Sequence, residues 1–404
     1  MRTTVGQCNL LLLLALTATH ESFGQNWIQR FPTTSPSARS YAAEAFDAAR
    51  NQTVLFGGLS ETVSFNTLND TWVWNGSDWT QKFPVNNPPA RAWASMAYDM
   101  TNSQIVLFGG FSSNGSSLND TWVWNGSDWT QKFPAHSPSP RGIFTTTYDS
   151  AHRQIVLFGG AFGFGSPFLG DTWVWNGSDW TQKFPTTSPS ARGGYAMAYD
   201  SLRNMTVLFS GVGSGVGSDT WLWNGSNWSQ AQPSNSPPPS LYPAMAFDAV
   251  QGYMLLFGGE ENCCLPMNDT WAWTGVNWVQ LQPSVIPEGR YSEAIAYDMT
   301  HSQVVMFGGT DGSGFLSDTW VWGVSEPTVI RTPPYDFFEG CNDTTQVASF
   351  GAEAAAIVDS NPLTGTLDIN VQALGLVADA KGQGGVGINY TPPLHWQGSP
   401  SNNC

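Results

Sequence analysis

Charge is scarce in this sequence. Only 11% of its 404 residues are Asp, Glu, Lys or Arg, where an ordinary globular chain has about a quarter. Lysine occurs four times, and the net charge is −16. No basic stripe exists to displace counterions from a phosphate backbone, so nucleic acid is excluded as the expected partner. The acidic excess is read as a solubility device. Histidine is also rare, at five copies, and none stands at metal-ligand spacing. Neither a metal nor a cofactor is expected. Long apolar runs are missing as well. The one apolar stretch, Leu10–Leu14 continued by Ala15 and Leu16, is too short to span a bilayer. It follows Arg2 and precedes Ser22-Phe23-Gly24, the pattern of a secretory signal cleaved before Gln25. Residues 1–24 are therefore expected to be removed and the mature chain to be secreted or periplasmic. Cysteine is limited to five copies, one of them (Cys8) inside that signal. Cys263, Cys264, Cys341 and Cys404 remain as disulfide candidates in an oxidising compartment. Pairing of 263 with 264 and of 341 with 404 is one arrangement, and the two crossed ones stay open.

Glycine (42), tryptophan (20) and aromatic residues (13%) are abundant, which favours many short strands joined by tight turns. The string "LNDTWVWNGSDWTQKFP" occupies residues 68–84 and again 118–134, and from its Asp onward it returns at 171–185. Asp-Thr-Trp starts at Asp70, Asp120, Asp171, Asp219, Asp269 and Asp318. An apolar run ends in a glycine pair in five units, at 57–58, 109–110, 159–160, 258–259 and 308–309, and Ser210-Gly211 takes its place in the fourth. Six units of roughly 50 residues follow, a period that marks a propeller or solenoid. Each unit divides into four strands, named a to d. In the first they are Tyr41–Phe46, Thr53–Phe56, Asp70–Trp74 and Trp79–Phe83. Asn75-Gly76 is read as a two-residue hairpin between c and d. Pro84 ends d because proline cannot extend a ladder.

These features resemble the kelch-repeat family. The resemblance rests on "QIVLFGG" (104–110), on the aromatic-Asp pair closing strand a, as in Tyr98-Asp99, and on the spaced tryptophans of "DTWVWNGSDW". It covers residues 25–323. The expected fold is all-β: a six-bladed kelch-type β-propeller, followed by a small β-rich C-terminal segment. The last unit stops at Trp322-Gly323 without a strand d, while "NWIQRFP" (26–32) is an orphan matching "DWTQKFP" (78–84). The N-terminal strand is therefore expected to complete blade six and leave no open edge. Beyond it, 324–338 reads as a linker and 339–404 as a short β unit, marginal as an independent core.

Within each blade the b–c and d–a loops share one face, called the top. The c–d turns below are nearly uniform, whereas the six b–c loops all differ. Arg39, Arg91, Arg141, Arg192 and Arg290 begin strand a, each eight residues before the Asp closing it, with Ser240 in the fifth unit. Strand a is innermost in a propeller, so these arginines gather at the channel mouth. Guanidinium groups bind carboxylates and sugar hydroxyls in two-point fashion. In kelch propellers that bind acidic peptides, arginines at this position line the pocket. They also serve internal ion pairs, and both readings stand. Trp93, two residues after Arg91, is a stacking candidate for a sugar. Glu44 and Glu293 are the only ionisable residues inside the a strands of their blades. They either line the channel or pair with an arginine, and they are the only weak catalytic candidates.

The sequence thus points to a secreted binding module for an anionic or carbohydrate ligand or an acidic peptide. The alternative is an exported sugar-acid epimerase or mutarotase of the kelch type, a likeness of fold only. A copper-radical oxidase is disfavoured because the needed histidines are absent from the channel mouth.

Overall fold

A computed structural model describes residues 25–60, 66–163, 165–213, 217–261 and 265–323, and beyond them Val324 and the strands at 329–330, 354–361, 366–373 and 394–398. Residues 1–24, and with them the signal sequence, lie outside the described residues, as do all four disulfide candidates. The chain divides after Gly323 into two compact units.

The first unit is a ring of six four-stranded antiparallel sheets. Blade one is Ala43–Asp47, Gln52–Phe56, Thr71–Trp74 and Trp79–Lys82. Strand a is shorter than the pattern predicts because Tyr41 turns out of the ladder at φ 55°. The c–d turn also differs from the two-residue hairpin expected. Trp74 pairs with Trp79, so the loop has four residues. The Asn75 side-chain oxygen accepts the N–H groups of Ser77 and Asp78, an Asx turn that leaves only Gly76 at positive φ. Blade six consists of Ala294–Asp298, Gln303–Phe307, Thr319–Val324 and the N-terminal strand Gln25–Arg30, in that order across the sheet. The ring closes as the orphan strand predicts. Among the described residues no helix is long and apolar enough to cross a membrane.

Two tryptophans per blade are fully buried, and they pair in a fixed way. The ring centres of Trp74 and Trp79, Trp124 and Trp129, Trp175 and Trp180, Trp223 and Trp228, and Trp273 and Trp278 lie 5.3–5.5 Å apart. Trp322 and Trp27 make the same pair at 5.4 Å from opposite ends of the chain. Each strand-d tryptophan then reaches the preceding blade. Its Nε1–H donates to the threonine of that blade's Asp-Thr-Trp motif at 2.8–3.0 Å, from Trp129 to Thr71 round to Trp79 on Thr319 and Trp27 on Thr270. Burial of the indoles supplies the attraction, and the hydrogen bond satisfies a donor that would otherwise be stranded.

The glycine pairs mark a second joint. The N–H of Gly58 donates to the carbonyl of Arg91 in the next blade, and Gly309 closes the circle on Arg39. A Cβ on Gly57 would sit 2.6 Å from that arginine carbonyl. Glycine is needed there for the approach as much as for its positive φ.

The second unit contains a four-stranded antiparallel sheet, Val329–Ile330, Ala354–Asn361, Thr366–Ala373 and Leu394–Gly398 in that order. The segment read as a linker thus contributes Val329–Ile330 to a sheet.

Candidate functional site

The five arginines do not begin strand a: they precede it by four or five residues, in the segment that leads into it, and none of them lines the channel. All are buried, and their donors turn into the blade. Arg39 donates from Nη1 and Nη2 to the two carboxylate oxygens of Asp70 at 2.7 and 2.8 Å. Its remaining donors reach the Gly57 and Ser37 carbonyls and the Ser37 hydroxyl. Arg141 and Arg192 likewise use all five N–H groups, on Asp171 and Asp219, on the serine two residues earlier and on a carbonyl eighteen residues later. Arg91 and Arg290 use four donor contacts each, with Asp120 and Asp318 as the carboxylate partners. Each aspartate also accepts the indole N–H of the tryptophan two residues on, for instance Trp72 on Asp70 at 2.7 Å. Burial pushes the carboxyls of Asp70, Asp120, Asp171 and Asp318 upward. The hydrogen bonds and charge of the arginines outweigh it and hold them below the usual range. The arginines therefore carry the blade frame. With at most one N–H each to spare, they have little left to offer a ligand.

What faces the channel mouth is the second residue after each arginine: Tyr41, Trp93, Ile143, Gly194 and Ser292, with Tyr242 following Ser240. All six have φ between 54° and 62°. The left-handed conformation costs the five non-glycine residues about 1–2 kcal/mol each. It turns each N–H toward the neighbouring blade. Trp93 donates to the Tyr41 carbonyl, Ile143 to Trp93, Gly194 to Ile143, Tyr242 to Gly194, Ser292 to Tyr242 and Tyr41 to Ser292, at 2.7–3.3 Å. Six backbone hydrogen bonds thus form a closed circle at the top of the channel.

The side chains of that circle make an aromatic rim. Trp93 lies 4.1 Å from Tyr41, and Tyr242 lies 5.5 Å from Tyr41 and 6.4 Å from Tyr291. Burial, with the Glu260 charge nearby, raises the Tyr242 hydroxyl to about 12, and Tyr41 is raised by the same causes. The rim is more than the single stacking residue expected at Trp93. Its sequence signal is the aromatic residue two places after the strand-a arginine, visible at 41 and 93 and repeated at 242 after Ser240. The b–c loops surround it. Leu59, Phe111 and Ala161 pair with Ser40, Ala92 and Gly142, and Glu260 and Thr310 with Leu241 and Tyr291.

Below the circle the channel encloses about 580 Å³, lined by the a strands. Glu44 and Glu293 stand in its wall and do not pair with an arginine. Both are buried, and neither carboxylate has a hydrogen-bond partner. Burial pushes Glu44 well above the usual carboxyl range. It pushes Glu293 to about 8, against weaker opposing pulls from the backbone N–H groups of Glu293 and Ala244 and from Arg290. They occupy two different seams. Glu293 points at Gly258 of blade five, and Glu44 lies on the face of blade one that packs against blade six. Among the described residues no group of three His, Cys, Asp or Glu gathers as a metal site.

Residues 45–241 match the model of the KLHDC2/KLHL20/DRC7 Kelch-repeats domain. No curated protein matches the chain. With six closed blades, each built on the same glycine turn, aspartate and tryptophans, the chain belongs to the kelch-repeat β-propeller family.

Proposed function

We propose that this chain is an exported, non-catalytic binding module that holds a protein partner on its top face. Kelch-repeat propellers are in general protein-binding modules. One observation carries the reading for this chain: the repeated polar groups are spent on the frame, while the b–c loops, all different, encircle an aromatic rim. Loops presented by a rigid scaffold are where recognition concentrates. Aromatic rings with a polar end make strong anchors. The rim carries tyrosines and Glu260 in place of available cations. It therefore suits a segment that brings hydrogen-bond donors and apolar groups, more than the acidic peptide or anionic sugar expected from the arginines.

The test is a binding screen of residues 25–404 against arrayed secreted proteins and neutral and acidic glycans. Hits are repeated on a chain carrying Tyr242→Ala and Tyr291→Ala. A protein hit weakened at least about tenfold by the rim changes, with melting unchanged, supports the reading. Hits confined to glycans, or turnover of a bound sugar acid, would replace it with a lectin or with the epimerase.

A further inference from the structure

The outer strand of each blade ends in a short tip, and the tips fall into two kinds. In blades six, one, two and three the tip reads Arg30-Phe31-Pro32, Lys82-Phe83-Pro84, Lys132-Phe133-Pro134 and Lys183-Phe184-Pro185. In blades four and five it reads Ala231-Gln232-Pro233 and Leu281-Gln282-Pro283. The four phenylalanines are 83%, 82%, 84% and 83% exposed. Among the described residues no other repeated position of the propeller leaves a large apolar ring in water. Single exposed apolar residues are ordinary, but equivalent rings on consecutive blades form a patterned surface. Because the blades are related by rotation about one axis, the four tips lie on one circle and cover an unbroken arc of it.

The cations of the arc are exceptional too. Nine arginines and three lysines stand among the described residues. Seven of them, all arginines, are ion-paired. Arg153 and the four arc cations form no such pair. In a chain of net charge −16, the positive groups without a carboxylate are thus concentrated on one arc, next to the exposed rings. Alternation along the strand puts ring and cation on opposite sides of each tip. A partner gripping the tip meets both.

A protective role for an edge strand accounts for part of this. Lysine and proline discourage strand pairing, but an exposed phenylalanine does the opposite. Blades four and five show that the tip is compatible with glutamine. The rings are therefore unexplained by the frame.

We propose that this arc is a second docking surface, for an acidic polypeptide that sets carboxylates against the four cations and apolar side chains against the four rings. Charge complementarity sets the sign of the partner, and the repeated spacing favours a partner engaging several tips at once, where each added contact multiplies the affinity. This surface is distinct from the aromatic rim of the top face.

The test uses the mature chain and a random copolymer of glutamate and tyrosine as probe. Polyglutamate, alginate and phosphatidylserine vesicles serve as comparisons. The expected result is salt-sensitive copolymer binding, weakened at least about tenfold when Phe31, Phe83, Phe133 and Phe184 are all changed to Ser, and similarly when Lys82, Lys132 and Lys183 are changed to Gln. Extending the arc by Ala231→Lys with Gln232→Phe should tighten binding. Melting curves confirm that each variant is folded. Failure of the wild-type chain to bind the copolymer, or binding unaffected by loss of the four rings, overturns the proposal. Binding of alginate or vesicles in preference to the copolymer overturns the assignment to a polypeptide. Because the rim residues are untouched, these outcomes are independent of the top-face screen.

Discussion

Five seams of the propeller join a glycine pair to an arginine, and the seam between blades four and five does not. There Ser210 replaces the first glycine and Ser240 the arginine, and the two meet. The Ser210 hydroxyl donates to the Ser240 carbonyl at 2.7 Å and accepts the Ser240 N–H at 2.9 Å. The loss has a local cost. In the other blades an arginine and an indole N–H both saturate the aspartate. In blade five, among the described residues, the Asp269 carboxylate accepts only from Gln280, and the buried Trp271 Nε1 has no partner. The comparison teaches what the arginine is for. It ties strand a to strand c within one blade and fixes the carbonyl that the previous blade grips. A pair of serines replaces the second task and leaves the first undone.

The largest effect that would break this contrast is removal of an arginine. Arg141→Ala should cost about 3–5 kcal/mol, because it strands a part-buried Asp171. Urea unfolding measures it, and a loss below about 1 kcal/mol would mean that the arginine is not structural. The seams beside blade six differ in another way, since each holds an unpartnered carboxyl. The folded-state pKa of Glu293 is raised from 4.5 to about 8, so the folded chain holds a proton that the unfolded chain releases. Its share of stability is present below about pH 4.5 and lost as pH rises through about 8, at up to about 1.4 kcal/mol per pH unit between them. Glu293→Gln should remove that slope and melt higher at pH 8. An unchanged pH profile would show that the carboxyl is already solvated. A smaller effect sharpens the comparison of tryptophans. Trp122→Phe and Trp271→Phe delete the same atoms, but only Trp122 donates to an aspartate, Asp120. The first should cost about 1.5–3 kcal/mol more than the second. Equal losses would mean that the indole–aspartate bond adds nothing. Last, Ser210→Gly should cost about 0.5–1.5 kcal/mol by deleting the serine bridge, again by urea unfolding.

The frame was readable because each repeated letter recurs in the same structural role. Blade count, strand c and the closing N-terminal strand all follow from letters that the eye can align. The arginines were readable as a position but not as a role. Spacing suggests the channel mouth for Arg39, yet its partner, Asp70, lies thirty-one residues away, and nothing in either residue says that their side chains turn toward each other. The circle at 41, 93, 143, 194, 242 and 292 was hidden for a different reason. Tyrosine, tryptophan and isoleucine do not advertise a left-handed backbone, and only Gly194 is of the expected type. The two glutamates were visible as oddities in strand a, but burial decides their state, and burial depends on how the neighbouring blades pack, which the letters of one strand do not tell.

The circle of six backbone bonds has one further consequence. A helix ends in unpaired donors at one terminus and unpaired acceptors at the other, and an open sheet leaves both along its edges. A circle in which every residue donates to one neighbour and accepts from the other has no ends, so none of its six N–H and six C=O groups is left over. The channel mouth is thus braced with no unpaired backbone group of the circle turned to a visitor, which meets side chains and loops instead.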